Sequence, residues 1–185
     1  MKYVLRCSVV LLFLTCAMFI SGCGGGDISG DGMDTGSFLT VEIAAPLNVD
    51  ACENTNLFAE VAFDNSDLPV PGTDGDETGI VHTSRHITID RYIIEYIPLD
   101  AISPPLSLRE YFQTFQLPPN SSNLFTDVQF LDVETKQEFL SFTANNPGIT
   151  TSTYSVIYRF YGHNDLGTEV SAVATGSFHM FDTCP

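Results

Sequence analysis

The chain has 185 residues, room for one ordinary domain, and 44% of them are apolar, enough for a packed interior and too many for a disordered protein. Lys and Arg number 7 against 23 Asp and Glu, a formal net charge of −16. So acidic a surface repels phosphate backbones and anionic headgroups, which argues against nucleic acid as a partner and leaves solubility as the plain role of the charge.

Residues 1–8 carry Lys2 and Arg6, and residues 9–20 form an apolar run interrupted by Thr15 and Cys16. That run is shorter than the roughly 20 residues a bilayer span needs, so residues 1–22 read as a cleaved export signal. The signal ends in Ile20-Ser21-Gly22-Cys23, an aliphatic residue, two small residues and a cysteine. This resembles the lipobox of bacterial lipoproteins. The resemblance implies that the Cys23 thiol takes a diacylglycerol, that a dedicated peptidase cuts the Gly22 to Cys23 bond, and that the new amine takes an N-acyl chain. Covalent lipid on Cys23 then stands in place of any dissociable cofactor, and the membrane is the first partner. Each buried CH₂ contributes about 0.8 kcal/mol and one chain holds only reversibly, which is the physical reason for several. Gly24, where an Asp would resemble the inner-membrane retention signal, points to the outer membrane of the cell envelope.

Residues 23–36 follow as a lipidated tether. Beyond Cys23 they hold six glycines and three aspartates, with too little apolar surface to fold. Asp27, Asp31 and Asp34 do not have the spacing of a calcium-binding loop and read as solvated.

Residues 37–185 are expected to form one domain. Apolar residues alternate at period two in several places, and no long segment shows period 3.6, so the domain reads as all-β. Residues 38–43 and 57–63 are the first strand candidates, separated by a Pro- and Asn-containing stretch. Residues 86–97, HITIDRYIIEYI, are the strongest, rich in β-branched and aromatic residues. Strict alternation there puts Ile87, Ile89, Arg91, Ile93, Glu95 and Ile97 on one face and Thr88, Asp90, Tyr92, Ile94 and Tyr96 on the other. Residues 106–117 and 124–133 follow, split by Pro118 and Pro119, and residues 134–142 suit a short helical turn. Residues 153–161 and 169–181 flank Gly162-His163-Asn164-Asp165-Leu166-Gly167 as a C-terminal hairpin.

About seven short strands with turns between them suggest a sandwich. Tyr154-x-Val156-x-Tyr158-x-Phe160 with Asn164 and Gly167 resembles the last hairpin of the fibronectin type III and immunoglobulin-like superfamily, and Tyr92-x-Ile94-x-Tyr96 resembles its third strand. The resemblance implies an immunoglobulin-like, antiparallel β-sandwich, although the loop is longer than usual and the Trp found early in many members is absent. Of the five cysteines, Cys7 and Cys16 leave with the signal and Cys23 is acylated. Cys52 and Cys184 remain, in an oxidising compartment, for a disulfide at one pole of such a sandwich, the alternative being two free thiols.

Chemistry is harder to find. C-x-x-C-H, G-x-S-x-G, phosphate-loop and H-E-x-x-H patterns are absent from the sequence. His82 and His86 on one strand would stand about 13 Å apart, too far to share an ion, and His163 and His179 are scattered. Asp74, Asp76 and Glu77 lie among glycines in residues 69–79, a weak calcium candidate that reads first as a solvated acidic loop. The expectation is a non-enzymatic binding or structural module of the cell envelope, its partner an envelope protein. The alternatives are a metal-dependent or otherwise unrecognised envelope enzyme and a calcium-stabilised adhesion module.

Overall fold

A computed structural model describes residues 37–67 and 84–184. The expected signal, the tether with Cys23, the acidic loop with Asp74, Asp76 and Glu77, and His82 lie outside the described residues.

The domain is mostly β. Its elements are β1 (Ser37–Ala44), β2 (Asn48–Asp50), β3 (Leu57–Asp67), β4 (Ile87–Pro98), β5 (Arg109–Leu117), β6 (Ser121–Leu131), α1 (Val133–Asn145), β7 (Thr151–Asn164) and β8 (Glu169–Phe181). They form two sheets, one in the order β1-β3-β6 and one in the order β2-β8-β7-β4-β5. All sheet neighbours are antiparallel except β2 and β8, which run parallel with Asn48, Val49 and Asp50 beside His179, Met180 and Phe181.

Beta-branched and aromatic residues at alternate positions explain most of these strands. In β7, Tyr154, Val156, Tyr158 and Phe160 are buried while Thr153, Ser155, Ile157 and Arg159 are not. Residues of period two on a half-buried sheet bury one face and solvate the other. The two inner faces share a core in which Phe63 of β3 meets Phe160 of β7 edge-on at 5.0 Å, and Phe130 of β6 meets Phe178 of β8 at 4.9 Å. Such edge-to-face pairs contribute about 0.5–1.5 kcal/mol beyond the area they bury.

Four features differ from the sequence expectation. The separator after β1 contains β2: the chain turns at Pro46 and joins the other sheet for three residues, too short a strand to show a period. Residues 106–108 precede β5, which begins at Arg109. The expected helical turn is a 13-residue helix, started by Asp132, whose side chain accepts from the Thr135 amide at 2.7 Å.

The fourth difference is in β4. Its alternation is broken at Asp90, where the register to both neighbours shifts. A β-bulge inserts one residue, so the buried set becomes Ile87, Ile89, Tyr92, Ile94 and Tyr96, and Arg91, Ile93 and Glu95 turn to the other face. Gly162 of β7 lies against this bulge so closely that a Cβ there would stand 2.0 Å from the Thr88 carbonyl oxygen. Only glycine fits.

The terminal hairpin turns through Asn164, whose side-chain oxygen accepts from the Leu166 and Thr168 amides at 3.0 and 2.9 Å, and through Gly167 at φ 79°. A positive φ without Cβ is what this reversal requires.

Candidate interaction face

Tyrosines fix the two sheets to each other. Between Phe58 and Leu57 the pairing of β3 with β6 skips Phe130, leaving β6 backbone groups turned away from β3. Tyr96 donates its hydroxyl to the Phe130 carbonyl at 2.5 Å, Tyr158 donates to the Gln129 carbonyl at 3.3 Å, and the Tyr92 hydroxyl accepts from the Gln129 amide at 2.8 Å. A buried polar group left unpaired costs roughly 1–3 kcal/mol, so these hydroxyls stabilise an otherwise costly irregularity. Burial pushes the Tyr92 phenol up to about 12 and the Tyr96 and Tyr158 phenols well above their ordinary value.

A charged network joins β5 to α1. Arg109 lies 3.3 Å from Asp132, 3.0 Å from Glu138 and 3.4 Å from Glu134, and its Nε donates to the Thr135 hydroxyl at 2.9 Å. Tyr111 donates to Asp132 at 2.9 Å. Burial works to raise the Asp132 carboxyl, but the Thr135 hydroxyl and amide, Tyr111 and the Arg109 guanidinium hold it below its ordinary value. The buried Lys136 donates to the Glu53 carbonyl at 2.9 Å. These groups are paired with one another within the fold.

Cys52 and Cys184 meet as a disulfide with Cα atoms 5.5 Å apart. The parallel pairing of β2 with β8 brings them together, since Cys52 is two residues beyond Asp50 and Cys184 three beyond Phe181. Asp182 completes a group of three potential donor atoms within 4.8 Å. Sulfurs bonded to each other are not thiolates, so this group does not have the chemistry of a metal site. Asp182 is instead held by the Thr143 hydroxyl at 2.7 Å and the Cys184 amide at 3.0 Å. Of the histidines, His86 is exposed before β4, His163 lies 3.4 Å from Asp90, and His179 meets the Thr153 hydroxyl at the other end of the β7–β8 hairpin. His163 and His179 are therefore not brought together.

What remains open is the outer face of the five-stranded sheet. Its rows follow from the register across β4: Phe112, Arg91 and Tyr161 form one, and Glu110, Ile93 and Arg159 the next. Glu95 beside Ile157, then Ile97 beside Ser155, continue it. Phe112 is a large apolar side chain that stays 79% exposed among the described residues. Arg91 bonds Glu110 at 2.8 Å and lies 4.7 Å above the Tyr161 ring, while Arg159 bonds Glu95 at 2.7 Å. Half-exposed pairs of this kind contribute at most about 1 kcal/mol each to folding. Aromatic and arginine side chains around partly covered aliphatic ones are the composition of protein interfaces.

The opposite face also exposes Phe58 and Phe125 but differs in charge. β1, β3 and β6 contain no Lys, Arg or His, and Glu42, Glu60 and Asp127 are exposed there, Glu60 directly opposite Asp127. Like charges at opposed positions repel.

Comparison of the chain with protein-family models, with curated proteins and with solved structures finds no match. The face therefore rests on its own geometry. The sequence reading did not find it, because strict alternation placed Arg91, Ile93 and Glu95 beside the buried Ile87 and Ile89. The signal available was the presence of Arg and Glu on the same face as Ile87 and Ile89, which a bulge explains.

Proposed function

We propose that this chain is a bacterial lipoprotein, anchored to the cell envelope through acyl chains on Cys23, whose domain is an immunoglobulin-like β-sandwich acting as a non-enzymatic binding or structural module. The observation that carries the domain reading is the strand order. A first segment divided between both sheets, a parallel contact between its second part and the last strand, and a three-stranded sheet opposed to a five-stranded one agree with the immunoglobulin-like plan. The fibronectin type III-like hairpin motif supports it, with Tyr154, Val156, Tyr158 and Phe160 lying buried along β7.

The anchoring half of the proposal rests on Ile20-Ser21-Gly22-Cys23 and the glycine-rich residues after it, with Gly24 favouring the outer membrane. Its purpose is reach: a glycine-rich spacer lets a folded domain meet a partner away from the bilayer. The binding half rests on the uncovered aromatic and arginine face of the five-stranded sheet.

The decisive experiment compares the full chain with Cys23→Ala in a bacterial host by intact mass and membrane fractionation. We expect a wild-type mass equal to the chain from Cys23 plus acyl groups, and loss of membrane association in the variant. A soluble, unacylated wild-type chain would remove the anchor. Turnover of an ester, amide or glycoside by the purified chain, abolished by a point substitution, would remove the non-enzymatic reading.

A further inference from the structure

We propose that the outer face of the five-stranded sheet is where a second copy of this chain docks, making a symmetric homodimer. The inference rests on the reading of the domain as a binding module and names its partner.

Charge selects the occupant. With Asp and Glu at 23 and Lys and Arg at 7, two copies brought together at random set carboxylates against carboxylates. The three-stranded face, with Glu42, Glu60 and Asp127 and no cation on its strands, repels its own kind. Arg109 is enclosed by Asp132, Glu134 and Glu138, Lys136 is buried, and Arg85 lies 3.6 Å from Asp165. Arg91 and Arg159 stand on the five-stranded face bonded to Glu110 and Glu95, with Asp90 beside His163 and the exposed Glu169 toward its end. This face carries two arginines, where the strands of the three-stranded face carry no cation.

The pattern is also self-complementary. Phe112 and Tyr161 flank Arg91 on either side of β4, and Glu110 and Arg159 flank Ile93 in the same way. A two-fold axis lying along β4 exchanges the two flanking strands. It sets Phe112 of one copy over Tyr161 of the other, and Glu110 of one over Arg159 of the other, twice. Residue i meeting j while j meets i is the condition for an isologous contact. On the axis Arg91 and Glu95 meet their own copies, each already held by an opposite charge in its own sheet. Ile93, between them, meets its own copy in an apolar centre.

The area is sufficient. The strands β8, β7, β4 and β5, about 4.8 Å apart and in register over about eight residues, present roughly 500 Å² per copy, or about 1,000 Å² in all. That is near the lower limit for a specific interface, so the dimer is expected to be weak.

The test is sedimentation velocity of the full chain in density-matched detergent, with Arg159→Glu, Glu110→Arg, their double variant and a mixture of the two single variants. The wild type should dimerise with concentration. Each single variant puts like charges at both flanking contacts and should weaken the dimer by at least about tenfold. The double variant should restore it, and an equimolar mixture of the single variants should give heterodimer, which misfolded chains cannot do. A wild type monomeric up to about 1 mM, or folded single variants that dimerise as well as the wild type, would overturn the proposal. So would a mixture that stays monomeric. None of these outcomes alters the mass or membrane fractionation of the chain, so the anchored-module reading stands or falls separately.

Discussion

The hydroxyl of Tyr96 on β4 donates to the carbonyl oxygen of Phe130 on β6, 2.5 Å away across the core and in the opposite sheet. The bond satisfies an irregularity of β6, which skips a pairing partner at Phe130. Replacing Tyr96 with Phe keeps the ring that packs against Phe178 but leaves that carbonyl without its donor. Tyr96→Phe should cost about 1–3 kcal/mol, read as a lower denaturation midpoint at unchanged slope.

Alkaline pH should unfold the domain through the same tyrosines. Burial raises the phenol pKa of Tyr92 to about 12, and those of Tyr96, Tyr111, Tyr154 and Tyr158 also lie above the ordinary 10.0. The protonated form is the one the fold keeps. Stability is therefore fully present below the unfolded pKa and falls as pH rises through 10.0 toward the folded values. Tyrosinate absorbance should appear together with loss of β-sheet circular dichroism. Gradual ionisation of these buried phenols with the sheet intact would contradict this.

Acid acts on a different group. Asp132 has its carboxyl held below the ordinary range by Thr135, Tyr111 and Arg109, against the opposing effect of burial. A depressed folded pKa contributes stability that is present above the unfolded value of 3.8 and lost as pH falls through the folded one. Asp132→Asn should flatten the acid limb of the stability profile, and its cost at neutral pH, where the Arg109 and Tyr111 contacts are also weakened, should be about 1 kcal/mol.

Gly162 and Gly148 make a matched pair. Alanine at Gly162 would drive its Cβ into the Thr88 carbonyl, backbone that cannot give way without undoing the bulge, whereas a Cβ at Gly148 meets nothing within 4 Å. Gly162→Ala should cost about 3 kcal/mol or more, and Gly148→Ala should stay within about 0.5 kcal/mol of the wild type in the same thermal melts.

The Cys52–Cys184 disulfide closes a loop of 132 residues. Removing it should lower stability by about 2–5 kcal/mol, chiefly by freeing the unfolded chain. Cys184→Ser and the reduced wild type should melt together, and reductant should leave the variant unchanged.

The β character of this domain could be read from the chain alone, because alternation along β7 and β8 is a local pattern set by side-chain geometry. Of the helix after Asp132 only a short turn was expected, and its 13 residues include Phe139 and Thr143, which are buried in the folded domain. The pairing of Cys52 with Cys184 was the expectation, against two free thiols, on the reading that Cys7 and Cys16 leave with a signal and Cys23 is acylated. What lies beside what was decided by tertiary structure. Nothing local in Asn48–Asp50 marks it as a strand; it becomes one because β8 offers an open edge. Nothing local at Asp90 marks a bulge either. Gly162, more than seventy residues away in sequence, makes room for it, and that one inserted residue turns Arg91, Ile93 and Glu95 to the face opposite the buried Ile87 and Ile89. Period is written in neighbouring residues, whereas register is the outcome of all the strand pairings at once.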